Sequence, residues 1–180
     1  MSNCDHYDEQ HQHICQGHMP TSSVCQTIDE LDFERGIWYA AQNDDLDRVQ
    51  KLIAKGTDVD SRDSAGYTSL HYAARNGCLQ VCKLLLKNGA NINAATKSGC
   101  ATALHRACTA GQMPIVQLLL SNNVDGLIKD ADGKTALHRA AESKHIEICK
   151  VISSAYPELK DMVDAKGKLP KDYVQMDNLF

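Results

Sequence analysis

The 180-residue sequence has no apolar run near the roughly 20 residues that cross a bilayer, and no basic-plus-apolar segment at its N-terminus. Those absences exclude a membrane-spanning helix and predict a protein of the cytoplasm, the nucleus or both. Surplus positive charge is missing as well, since 19 Lys and Arg face 23 Asp and Glu. The first 30 residues hold Asp5, Asp8, Glu9, Asp29 and Glu30 but no Lys or Arg, which leaves the rest near neutral. Proteins that gather phosphates do so with a clustered basic face. Neither nucleic acid nor membrane is therefore an expected partner. No Ser/His/Asp set, phosphate-cradling Gly loop or paired-carboxylate site emerges either, so the chain is expected not to be an enzyme. Cysteine is plentiful: there are eight, and without an export leader they are expected to stay reduced, as core residues, metal ligands or reactive thiols.

What is present is repetition, the first thing to test because a missed period misassigns a whole fold. The segment Gly66-Tyr67-Thr68-Ser69-Leu70-His71-Tyr72-Ala73-Ala74 returns as Thr102-Ala103-Leu104-His105-Arg106-Ala107 and again as Gly133-Lys134-Thr135-Ala136-Leu137-His138-Arg139-Ala140-Ala141. Each copy has a Thr where a hydroxyl can cap a first helix. Small residues follow and permit close helix approach (Ala73, Ala74; Ala107, Cys108; Ala140, Ala141). Gly77 and Gly111 stand where a left-handed residue must end the helix. Second helices are predicted from the apolar stripes Val81, Cys82, Leu84, Leu85, Leu86, then Ile115, Val116, Leu118, Leu119, Leu120, then Ile148, Cys149, Val151, Ile152. A hairpin-like turn leads into each Asp-x-x-Gly.

This pattern resembles the ankyrin repeat, a unit of about 33 residues made of a turn and two antiparallel helices. The resemblance implies an all-α ankyrin-repeat solenoid of about four full repeats plus a C-terminal half-repeat cap. The expected divisions are a His/Cys-rich acidic tail over 1–26, an N-terminal helix and capping repeat over 27–62, and repeats over 63–95, 96–128 and 129–161. A cap over 162–180 completes them, with Gly167-Lys168-Leu169-Pro170-Lys171-Asp172-Tyr173 copying the start of a repeat. Lys51 replaces the apolar residue of the later stripes, as a polar end unit requires, and two capped ends favour a monomer. Thr27-Ile28-Asp29-Glu30 has the form of a capping box ahead of a short helix.

Several residues depart from the family pattern. Ser69, Ala103 and Ala136 occupy a position usually held by Pro. Asp44 and Lys144 take the left-handed place of Gly77 and Gly111, and one inserted residue predicts a bulge in the turn carrying Cys100. Ser153 and Ser154 dilute the fourth stripe, which predicts a weaker fourth unit.

The histidines invite a metal reading, but successive repeats stack about 10 Å apart while a His ligand lies about 2.1 Å from its metal. The resemblance implies instead that they hydrogen-bond within their own turn and toward the next unit. Cys82, Cys108 and Cys149 align with Val or Ala and are expected in the core. The tail crowds Cys4, His6, His11, His13, Cys15, His18 and Cys25 together, and a zinc site using Cys15, His18 and Cys25 is the one cofactor alternative to none. By resemblance, a protein partner is expected on the concave face formed by the inner helices and turn tips. The residue after each repeat histidine should line it, giving Tyr39, Tyr72, Arg106, Arg139 and Tyr173, flanked one turn on by Arg75 and Glu142. Aromatics and Arg dominate interface hot spots. On this reading, Arg106→Glu with Arg139→Glu abolishes binding and leaves the melting temperature nearly unchanged.

Overall fold

A computed structural model describes residues 36–174; the 1–26 tail with Cys15, His18 and Cys25, and the Thr27–Glu30 helix start, lie outside the described residues. Within them the chain forms eight α-helices in two layers. The inner layer stacks α1 (Ile37–Gln42), α3 (Ser69–Asn76), α5 (Ala103–Ala110) and α7 (Ala136–Glu142), closed by a 3₁₀ turn over Pro170–Tyr173. The outer layer stacks α2 (Leu46–Ala54), α4 (Leu79–Lys87), α6 (Met113–Ser121) and α8 (Ile146–Ala155), each antiparallel to its inner partner. Apolar residues line the seam between the layers. Leu70, Ala73, Ala74, Val81, Cys82 and Leu85 are at most 1% exposed, and their counterparts in the next two units are sealed alike. Leu84, Leu86, Leu118 and Leu120 are only partly buried and pack against the core from the outer layer, whereas Lys51 of α2 is exposed.

The inner helices start alike. Thr68, Thr102 and Thr135 are extended N-cap residues, and in each the backbone N–H donates to Nδ1 of the histidine three residues on, at 3.1, 3.2 and 3.2 Å. The imidazole thus does the work of the acidic residue in a capping box. Its Nε2–H donates across the interface to the next unit, from His71 to the Ala101 carbonyl, His105 to Lys134 and His138 to Lys168. In the terminal 3₁₀ turn the same role passes to Asp172, whose carboxylate accepts from Leu169 N–H at 2.8 Å.

Helix ends follow the expected conformations. Gly77 and Gly111 have φ of 80° and 75°, and Asp44 and Lys144 adopt 56° and 60° in their place. Cys100 stands at φ 48°, the bulge its insertion predicts. Ser69, in the place usually held by Pro, donates its hydroxyl to the Val59 carbonyl at 3.0 Å. In the fourth unit Ser153 is buried and bonds the Lys150 carbonyl. A 3₁₀ turn over Pro157–Asp161 then inserts a fully buried Leu159, and the Tyr156 hydroxyl donates to the Val124 carbonyl. The thin stripe is thus supplemented from beyond α8.

Four hairpins project from the inner helix starts. Those over Asp63–Tyr67, Asp130–Lys134 and Asp164–Lys168 close identically, with Asp N–H donating to the carbonyl four residues on and Gly N–H returning to the Asp carbonyl. The one over Thr96–Ala101 is a residue longer. Successive tips are joined by Lys97 N–H to the Ala65 carbonyl, Ala131 to Gly99 and Ala165 to Asp132, at 2.9–3.3 Å. Gly133 sits at such a joint with φ 70°, and a Cβ added there would lie 2.7 Å from the Ala165 nitrogen. Gly133→Ala is expected to lower stability by about 2 kcal/mol or more, whereas Gly56→Ala, strained at φ 89° but facing open space, is expected to lose only about 1 kcal/mol in urea unfolding.

Candidate functional site

The exposed side of the inner layer is built one residue per unit. In α3, α5 and α7 the same Thr start and the same His put the residue after the His at an equivalent place; in α1 Gly36 is the N-cap and Trp38 precedes the row residue, and in the terminal turn Leu169 and Asp172 do so. Tyr39, Tyr72, Arg106, Arg139 and Tyr173 therefore form a row, and Arg75, Thr109 and Glu142 stand exposed one turn further on. Tyr39 is 36% exposed, with the Arg48 guanidinium over its ring at 5.8 Å.

The hairpins hold most of this row in place. Tyr72 donates its hydroxyl to Asp63 Oδ2 at 2.6 Å, Arg139 donates from Nε to Asp130 Oδ2 at 2.6 Å, and the Tyr173 hydroxyl donates to Asp164 Oδ2. The other oxygen of each aspartate accepts backbone N–H groups of its own hairpin, as in Asp130 Oδ1 with Lys134 at 2.9 Å and Asp132 at 3.0 Å. One carboxylate thus fixes both turn and row. Burial, followed by the Asp63 hydrogen bond, pushes the Tyr72 phenol well above its ordinary value. The Tyr173 hydrogen bond holds Asp164 at about 2, and Tyr173 rises to about 12 in return.

Arg139 is the most heavily engaged. Beyond Asp130, its Nη2 lies 2.8 Å from Asp132 and its Nη1 3.0 Å from Glu142, which also meets Lys134 at 2.7 Å. Burial alone would lower the Arg139 pKa, but the Asp130 and Asp132 hydrogen bonds raise it. Burial would likewise raise Glu142, yet Lys134 and Arg139 hold it below the ordinary carboxylate range. The Asp130 side chain is 1% exposed, so Arg139 neutralises a sealed charge. An unchanged melting temperature is not the expectation for Arg139→Glu once that geometry is known.

Arg106 differs from its neighbours. Thr96 stands where the other hairpins have aspartate, and among the described residues no carboxylate meets this guanidinium. Nη2 donates to the Tyr67 hydroxyl and the group lies 4.8 Å over the Tyr67 ring, while Nε is buried without a partner. Beside it opens a cavity of about 170 Å³, lined by Gly99, Ala101, His105, Arg106, Thr109 and Arg139. The sequence reading had the Asp-x-x-Gly turns but not the hold of each aspartate on the row, nor the Thr96 exception, although the interval of nine residues from Asp63, Asp130 and Asp164 to the row, and of ten from Thr96 to Arg106, could have exposed both.

The repeat histidines and Cys82, Cys108 and Cys149 serve the core, whereas Cys100 is exposed. Burial drives His71 down to about 4 and depresses His105 and His138 in the same direction. It pushes the Cys82 thiol up to about 12 and Cys149 to about 11, and raises Cys108 strongly, so no thiolate forms there near neutral pH. Among the described residues no group of three His, Cys, Asp or Glu is placed to hold a metal.

Comparison with known proteins follows the same architecture. The family profile described as ankyrin repeats matches in three copies, over residues 17–96, 37–130 and 95–161. The chain is similar to ankyrin repeat domain-containing protein 39 of Homo sapiens, 59% identical over 73 residues that cover 41% of this chain and 40% of that protein. It is similar to the protein of that name in Bos taurus, 67% identical over 54 residues, 30% of each chain. A putative ankyrin repeat protein of Rickettsia bellii is 32% identical over 133 residues, 73% of each chain. The match to the first two relatives thus spans well under half of their length.

Proposed function

The chain belongs to the ankyrin-repeat family, and on that premise we propose that it is a non-enzymatic adaptor, scaffold or inhibitor that binds a protein on its concave inner-helix face. The observation that carries this reading is the row Tyr39, Tyr72, Arg106, Arg139 and Tyr173, one residue per unit. Hairpin carboxylates fix three of its members. A side chain already held in one rotamer loses little entropy when a partner arrives, and aromatic and Arg side chains supply area and donors.

Thr109 tests the reading without disturbing the core, because it is exposed beside the row. Thr109→Trp is expected to keep the melting temperature within about 2 °C and to reduce affinity capture of the partner from lysate by about tenfold or more. Undiminished capture would place the partner elsewhere. The zinc alternative rests on Cys15, His18 and Cys25 in the tail, and zinc titration of the full chain checks it: partner capture that vanishes on chelation would favour it.

A further inference from the structure

Three of the four hairpins satisfy the row residue with their own aspartate, and the second does not. Thr96 has a hydroxyl where Asp63, Asp130 and Asp164 have a carboxylate, and that hydroxyl accepts the Ala101 N–H at 3.1 Å. Arg106 is left with an aromatic partner in Tyr67 and a buried Nε that meets no acceptor. A buried guanidinium donor without an acceptor is costly, and a carboxylate is the acceptor whose two oxygens match the guanidinium fork. The cavity of about 170 Å³ beside Arg106 has room for one such group.

We propose that a carboxylate side chain of the bound protein enters this cavity and pairs with Arg106, completing from outside the arrangement that the other hairpins complete from within. The inference rests on the concave-face reading above.

Charge distribution orients the partner. On the side of α3, among the described residues, Arg75 is exposed with no hydrogen bond or ion pair to its guanidinium, and Arg62 donates to the Gly66 and Ala95 carbonyls. On the side of α7, Arg139 and Lys134 are already matched by Asp130, Asp132 and Glu142, leaving one negative charge in excess. An acidic group is therefore attracted at Arg106 and toward Arg75, and repelled toward Asp132 and Glu142. Opposed fields of this kind fix the register of a partner more than its affinity.

The test selects random linear peptides on the full chain by display and measures the winners against wild type, Arg106→Gln and Thr109→Trp. The expected result is an Asp or Glu at one fixed position in the peptides. Its change to Asn or Gln then weakens binding about tenfold or more on wild type and hardly at all on Arg106→Gln, the coupling that a direct pair produces. Arg106→Lys keeps the charge without the fork; its partial coupling gives the same readout should Arg106→Gln unfold. Peptides blocked by Thr109→Trp but showing no fixed acid, or no coupling to residue 106, overturn the carboxylate proposal and leave the concave face standing. Peptides indifferent to both positions overturn the face reading as well.

Discussion

Arg139→Glu is expected to lower the unfolding free energy by about 4 kcal/mol, the range for breaking a buried ion pair from one side. The charge it abandons is the Asp130 carboxylate, 1% exposed and already committed through its other oxygen to the hairpin N–H groups of Asp132 and Lys134. A glutamate there would add a like charge among Asp130, Asp132 and Glu142, so repulsion joins desolvation. The hairpin over Asp130–Lys134 should loosen with it, and with that hairpin the Lys134 carbonyl that His105 uses. Urea unfolding reads the loss directly, and a fall in melting temperature of about 10 °C accompanies it. Arg106→Glu, which abandons no carboxylate, is expected to change stability by less than about 1 kcal/mol. Two arginines that look equivalent in sequence thus separate by their effect on stability: one anchors its hairpin and the other does not. Equal stability of the two variants would contradict this division.

Acidification gives the second large effect. His71, His105 and His138 each accept a Thr N–H at Nδ1 and donate from Nε2 to the next repeat, so both nitrogens are used in the neutral ring. A second proton would turn the Nδ1 acceptor into a donor facing another donor. All three are depressed from the ordinary 6.5, His71 to about 4. The unfolded chain therefore binds protons near pH 6.5 that the folded chain refuses, and stability falls as pH drops through that value toward 4. At pH 5.5, one unit below the unfolded value, the neutral His71 ring forfeits about 1 kcal/mol, and His105 and His138 add to the loss in the same direction. Asp164 and Glu142 are lowered and contribute in the opposite window, losing their stabilisation only in stronger acid. Urea midpoints at pH 7.5 and 5.5 measure the difference. Replacing His71, His105 and His138 by Gln should lower stability at pH 7.5 and flatten the slope; an unaltered slope would show that other groups take up the protons.

The reach of the sequence can be judged from particular residues. The Thr-x-Leu-His copies exposed the inner helices because one local rule, a capped helix start of small residues, recurs at fixed period. Gly77, Gly111, Asp44, Lys144 and the Cys100 bulge were legible for the same reason, since each sits at a position the repeat defines. Leu159 was not, because a single Leu in Pro157-Glu158-Leu159-Lys160-Asp161 has no period to betray its burial. Arg139 was visible as a row residue but not as an anchor. Its carboxylate partners lie nine and seven residues back on a hairpin, and they meet it only when the chain folds over the helix start.

The binding-face claim is tested most directly by site-specific photo-crosslinking of the chain in cell lysate. A benzoylphenylalanine placed at Ser98, exposed on the Thr96–Ala101 hairpin at the edge of the row, is compared with one at Gln117, exposed on outer helix α6. The concave-face account predicts a discrete protein adduct from position 98 that is absent from position 117 and lost on Thr109→Trp. An adduct from position 117 with none from 98 would contradict it.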